Sequence, residues 1–176
     1  MSAAVWYFAY GSNMETATFR GRRGIAFARA VPARLSGWRL VLDKPPLLPM
    51  GEAMANLVAE AGAETLGVLY EIARADLDHL DLTEGVLIGN YRRLEVAVTP
   101  LHPPADAVTA HTLVSDRREP VLQPSVRYMA RLIAGAEEHR LPADYIAFLR
   151  RVPAGAESAE AVQARALVDE VLRRGR

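Results

Sequence analysis

The sequence predicts an α+β domain, a compact sheet or barrel with helices packed against its outside. Three observations carry this. Segments with strand character fill the first two-thirds of the chain. Apolar residues at three- and four-residue spacing fill the last third. Of the 176 residues, 51% are hydrophobic and 24% charged, an ordinary globular balance that suits one domain spanning residues 1–176.

The elements follow in chain order. Val5 to Ala9 is a short apolar run that reads as a buried strand. Ala28 to Leu35 and Trp38 to Asp43 read as a hairpin around Ser36-Gly37. Lys44-Pro45-Pro46 breaks the pattern, and a proline-rich loop runs on to Gly51. Met54 to Glu60 and Thr65 to Ile72 are two further strands, separated by a turn at Gly62. A short helix holds Asp76, Leu77, Leu80 and Asp81 and ends near Gly85. Tyr91 to Thr99 alternates, with Leu94, Val96 and Val98 on one face, and Pro100, Pro103 and Pro104 close it. Ala107 to Ser115 is the last strand. Three helical stripes follow: Tyr128, Met129, Leu132, Ile133 and Ala136 after a Ser125 cap; Tyr145, Phe148, Leu149 and Val152 after Pro142; and Ala164, Leu167, Val168, Val171 and Leu172. Each reads as a core face.

Composition excludes several function classes. Lys+Arg and Asp+Glu are both 21, so there is no electrostatic footprint for nucleic acid. The cluster Arg20, Arg22 and Arg23 reads as solvated surface. There is no cysteine, hence no disulfide framework and no thiolate nucleophile. The four histidines are scattered, with no pair at zinc spacing. No secretory leader pattern and no membrane-length apolar run is present, so a soluble cytoplasmic protein is expected.

Chemistry concentrates in two places. The block Tyr7-Phe8-Ala9-Tyr10-Gly11-Ser12-Asn13-Met14 runs a strand straight into a turn, and such a turn aims backbone N–H groups at an anion or a developing oxyanion. Glu84, at the end of the short helix and followed by Gly85, reads on local sequence alone as a solvated helix-end glutamate, and it is also the best candidate for a group that moves protons. On their own, Tyr91 and Tyr128 read as barrel or helix-core aromatics. Glu95 reads as solvated, and nothing selects Arg92 or Arg93 for a substrate carboxylate.

Three motifs in order resemble the γ-glutamylcyclotransferase, or AIG2-like, family. They are Tyr7-Phe8-Ala9-Tyr10-Gly11-Ser12-Asn13; Leu80-Asp81-x-x-Glu84-Gly85-Val86 closed by Gly89-Asn90-Tyr91; and Pro124-Ser125-x-x-Tyr128 with a helix through Gly135 and then Leu141-Pro142-x-x-Tyr145. The resemblance covers residues 5–152. It implies a small closed mixed β-barrel with surrounding helices and a pocket at its mouth. It also implies cyclisation of a γ-glutamyl amino acid or peptide to 5-oxoproline with release of the free amine. Tyr10, Gly11, Ser12 and Asn13 match the loop that holds the γ-glutamyl group, Glu84 matches the acid/base, and Tyr91 and Tyr128 match pocket positions. The implied partner is a small γ-glutamyl molecule, without metal, cofactor, nucleic acid or membrane, acting on a monomer or homodimer. Three alternatives stand beside this: a γ-glutamylamine or γ-glutamyl-protected biosynthetic intermediate as substrate, an acyl hydrolase using water, and a non-catalytic binding module.

Overall fold

Five strands close into a barrel in the order β1-β3-β2-β4-β5. The structure, a computed structural model, describes residues 3–47, 51–102 and 106–174. The strands are β1 (Ala4–Ala9), β2 (Phe27–Lys44), β3 (Met54–Ala73), β4 (Arg92–Pro100) and β5 (Val108–Val114). The helices are α1 (Arg74–Thr83), α2 (Val126–Glu138), α3 (Ala143–Arg151) and α4 (Ala159–Arg174). All pairings are antiparallel except the closing contact of β1 with β5, where Tyr7 lies beside His111. The barrel is therefore mixed.

The two long strands differ from the expected hairpin and two further short strands. Ala28 to Leu35 does not fold back on Trp38 to Asp43. Both stretches belong to β2, and both pair with β3, Leu35 with Thr65 and Trp38 with Ala59. The register shifts between Ser36 and Trp38, which leaves more residues on β3 than on β2 at that point. Gly37 and Gly62 sit at this irregularity with φ of +80° and +81°. In sequence such glycines resemble tight turns, but here they bend a continuous two-stranded ribbon.

The core explains why the second half of β1, Tyr7 to Ala9, is buried. Phe8 and Tyr70 are fully buried, and Phe19 stacks on Tyr70 with ring centroids 4.4 Å apart. The Tyr70 hydroxyl donates to the Met14 carbonyl at 2.7 Å, which ties the end of the Gly-Ser-Asn turn to the barrel. Helix α2 presses on the same turn through Gly135. A Cβ added there would lie 2.6 Å from the Met14 carbonyl carbon and the Glu15 nitrogen. The Ser125 side chain caps α2 by accepting from Tyr128 N at 3.0 Å.

Two stripes differ from the expected core faces. In α3, Phe148 is 42% exposed while Leu149 is buried. In α4, Leu167 and Val171 are exposed. The half-buried or buried positions are Ala161, Ala164, Arg165, Val168, Asp169 and Glu170, so the inner face carries a guanidinium and carboxylates. Pro103, Pro104, the middle of the Lys44–Gly51 loop and the Leu172 side chain lie outside the described residues. Among the described residues no helix is long and apolar enough to cross a membrane.

Candidate active site

A cavity of about 320 Å³ opens at one end of the barrel, and it is lined by Tyr10, Gly11, Ser12, Asn13, Glu84, Tyr91 and Tyr128. Strand β1 ends at Ala9 and delivers the turn, in which Met14 N donates to Gly11 O at 3.0 Å. That short helical turn begins its own hydrogen bonds at Met14, so the amides of Ser12 and Asn13 precede them. Helix α1 delivers Glu84 at its C-cap, where the Glu84 N–H donates to Leu80 O at 2.9 Å. The turn and the carboxylate then meet directly: Asn13 Nδ2 donates to Glu84 Oε1 at 3.0 Å.

Three tyrosines fix the walls. The Tyr10 hydroxyl donates to Leu113 O on β5 at 2.5 Å, so that oxygen is committed to the barrel wall. The backbone of Ala55 is held from two sides. Its N–H donates to the Tyr128 hydroxyl at 3.0 Å, and its carbonyl accepts from the Tyr91 hydroxyl at 3.3 Å. The same hydroxyl also meets Ser12, whose backbone and side chain both hydrogen-bond with it. Burial pushes the Tyr128 phenol up to about 12 and raises Tyr10 and Tyr91 as well, so all three stay neutral donors at ordinary pH. Gly11 is tightly enclosed, since an added Cβ would sit 3.1 Å from Ala55 Cβ and 3.3 Å from the Tyr128 hydroxyl.

The structure adds residues that the sequence did not single out. Arg23 is no surface residue. It lies 2.8 Å from Glu84 Oε1, with the two side chains 10% and 13% exposed. A six-residue π-helix, Ala17–Arg22, ends directly before it and turns it inward. Asn13 and Arg23 both contact Oε1, which leaves Glu84 Oε2 without a hydrogen bond among the described residues. Asn13 Oδ1 is buried without a partner among the described residues, a free acceptor beside the carboxylate. Lys44 is buried, donates to Asn90 Oδ1 at 2.6 Å and lies 4.4 Å over the Tyr91 ring. Burial, together with the nearby Arg117, lowers its ammonium to about 8. None of these partners is a sequence neighbour of the group it touches, so no local pattern could have exposed them.

Other candidates fall outside the cavity. Arg92 pairs with Asp116 at 3.3 Å, and Arg93 with Asp78 and Asp81 at 3.2 and 3.1 Å. Glu95 is exposed, 4.0 Å from His111. Among the described residues no group of three His, Cys, Asp or Glu side chains is arranged to hold a metal ion.

Residues 64–149 match the AIG2-like family. The chain is 31% identical over 165 residues to the γ-glutamyl cyclotransferase aclK of Aspergillus oryzae, covering 83% of this chain and 60% of that protein. It is 30% identical over 146 residues to the γ-glutamylcyclotransferase of Bos taurus, covering 79% of this chain and 73% of that protein. A solved γ-glutamyl cyclotransferase structure superposes with a TM-score of 0.76 at 25% identity, over 98% of this chain and 99% of that one. By motif order, barrel topology and these likenesses, the chain belongs to the AIG2-like γ-glutamylcyclotransferase family.

Proposed function

We propose that the protein is a γ-glutamylcyclotransferase that converts a γ-glutamyl amino acid or peptide to 5-oxoproline and the free amine, with Glu84 as general acid/base. The observation that carries this reading is the 3.0 Å contact between Asn13 Nδ2 and Glu84 Oε1. It joins the Gly11–Asn13 turn to a carboxylate 71 residues away, in one cavity. A site of this kind needs a base and an electrophile-stabilising loop around one reacting carbon.

The substrate supplies its own nucleophile. Its α-ammonium has a reference pKa of about 8, so a carboxylate must take a proton before attack. Glu84 Oε2 has no other partner among the described residues and serves that role. Asn13 Oδ1 accepts from the same ammonium and orients it. The amine nitrogen then bonds to the γ-carbonyl carbon, and the carbonyl π electrons move onto oxygen. The Gly11–Asn13 turn and the Tyr128 hydroxyl beside it stabilise that oxyanion. Collapse re-forms the carbonyl and breaks the bond to the leaving nitrogen. Two of the ammonium's three protons pass to that nitrogen through Glu84, so the amine departs as an ammonium and the lactam nitrogen keeps one. Holding the substrate folded supplies the entropic part of the acceleration. The same chemistry would serve a γ-glutamylamine, because the steps do not depend on the rest of the leaving group.

The test offers free and N-acetylated γ-glutamyl compounds and follows products by mass spectrometry. The expected result is 5-oxoproline from the free compound and no turnover of the acetylated one. Release of amine from the acetylated compound, or glutamate from the free one, would make the protein a hydrolase and sink the proposal.

A further inference from the structure

Glu84 sits on a loop that burial does not hold. The loop joins the end of α1 to the start of β4, and its tip, Val86–Ile88, contains no buried residue. Leu87 and Ile88 are 84% and 67% exposed. Packing therefore does little to fix the backbone that carries the carboxylate. Glu84 is also the C-cap of α1, so its carbonyl lies beyond the hydrogen-bond ladder of the helix.

Asn90 closes this loop at its base. Its backbone N–H donates to Gly85 O at 3.0 Å, and its side-chain Nδ2 donates to Glu84 O at 2.9 Å. Asn90 is buried and is itself held on its other polar atoms. Its Oδ1 accepts from Lys44 Nζ at 2.6 Å and from Arg117 Nη1 at 2.8 Å. Two cationic donors on one atom require that atom to be the amide oxygen, so the amide nitrogen must face Glu84. These bonds are charge-assisted, and they lock the amide in that orientation. Its backbone carbonyl accepts from Ser115 Oγ at 2.7 Å. Ser115 is in turn paired with Asn56: Asn56 Nδ2 donates to Ser115 O at 2.8 Å, and Ser115 N donates to Asn56 Oδ1 at 2.9 Å. Asn56 follows Ala55, whose backbone meets Tyr91 and Tyr128. A buried polar chain thus runs from the tyrosine wall of the cavity through Asn56, Ser115 and Asn90 to the Glu84 backbone. The arrangement is not free of cost, since it brings Lys44 and Arg117, two like charges, to one oxygen; the charge of Glu84 acts on Lys44 in the opposite sense.

We propose that Asn90 is a positioning residue for Glu84: its amide, oriented by Lys44 and Arg117 and braced by Ser115, fixes the Glu84 backbone so that the carboxylate meets the Gly11–Asn13 turn. This rests on the cyclisation proposed above in taking Glu84 as the group that moves the proton. Asn90 acts through Glu84. A displacement of about 1 Å in a group that moves a proton can cost on the order of a hundredfold in rate, and the exposed tip of the loop offers nothing else to prevent it.

The experiment uses Asn90→Asp. The new carboxylate still accepts from Lys44 and Arg117, and more strongly, but it puts an oxygen where Nδ2 faces Glu84 O. A residue that only held the two cations would be served as well by Asp, with kcat unchanged. Positioning predicts a kcat at least about tenfold lower, with KM within about threefold of wild type. Hydrogen–deuterium exchange read by mass spectrometry reports the geometry without turnover. The peptide covering residues 83–91 should exchange faster in Asn90→Asp, while peptides from β3 keep their protection. Ser115→Ala is the second variant, and it decides the matter if Asn90→Asp does not fold. It removes the brace on Asn90 O without adding charge, so a loss shared by both variants is not an effect of the added carboxylate. Its kcat should fall about threefold or more, with faster exchange in the same peptide. Unchanged kcat in either folded variant, or unchanged exchange over residues 83–91, would overturn the proposal. If the wild-type protein forms no 5-oxoproline but Asn90→Asp still speeds exchange in that peptide, the cyclisation reading fails while the hold of Asn90 on Glu84 stands.

Discussion

Arg23→Met tests whether the arginine beside Glu84 belongs to the framework of the site. The pair is 2.8 Å apart and both side chains are nearly buried. Removing the cation leaves a carboxylate whose one remaining protein donor is Asn13 Nδ2 at 3.0 Å. It also removes the bond from Arg23 Nη1 to Thr83 O at 3.3 Å. Breaking a buried pair from one side costs about 3–5 kcal/mol, and the open cavity places this case at about 3 kcal/mol. For a chain of this size that corresponds to a fall in Tm of about 6–12 °C. Adding Glu84→Gln removes the stranded charge, so the double variant should be more stable than Arg23→Met alone, with a coupling energy of about 1–3 kcal/mol. The assay is thermal and urea unfolding of wild type, the two single variants and the double variant, followed by circular dichroism. An Arg23→Met protein melting within about 2 °C of wild type, or strictly additive effects, would refute the reasoning.

Three further outcomes follow from the same geometry. Gly135→Ala should cost about 2 kcal/mol in urea unfolding and lower turnover, because its methyl group would displace the Met14–Glu15 backbone from α2; unchanged stability would mean that α2 yields freely there. Tyr128→Phe leaves the Ala55 N–H without its acceptor and takes a donor from the oxyanion, so kcat/KM should fall about tenfold or more; an unaltered kcat/KM would remove the hydroxyl from the site. Lys44 has its proton affinity lowered to about 8 by burial, below the ordinary 10.5. Its charged form is disfavoured in the folded state, so its burden on stability is full below pH 8 and is relieved as pH rises toward 10.5. Relative to wild type, Lys44→Met should therefore look most favourable near pH 7 and progressively less so by pH 9.5; a pH-independent difference would contradict this.

The sequence made some elements legible and concealed others for physical reasons. Strand β4 and helix α2 were plain because their apolar periods match the faces they bury, Leu94, Val96 and Val98 in one case and Met129, Leu132 and Ala136 in the other. The long β2–β3 ribbon was read as a hairpin and two further short strands because Gly37 and Gly62 look the same in a bend as in a turn. In α4 only part of the hydrophobic stripe, Ala164 and Val168, faces inward while Leu167 and Val171 are exposed, since Arg165 and Asp169 occupy inward positions that composition assigns to solvent. The grouping of Glu84 with the turn came from the order of motifs. Arg23 could not be read, because its partner lies 61 positions away and a basic cluster ordinarily faces water.

The most direct test of the account measures 5-oxoproline formed from a γ-glutamyl amino acid by wild-type protein and by Glu84→Gln, with circular dichroism confirming that both are folded. The account predicts 5-oxoproline from the wild type and a kcat at least about a hundredfold lower in the variant, the usual worth of a positioned general base. Near wild-type turnover by the folded Gln variant would take Glu84 out of the mechanism and contradict the central claim.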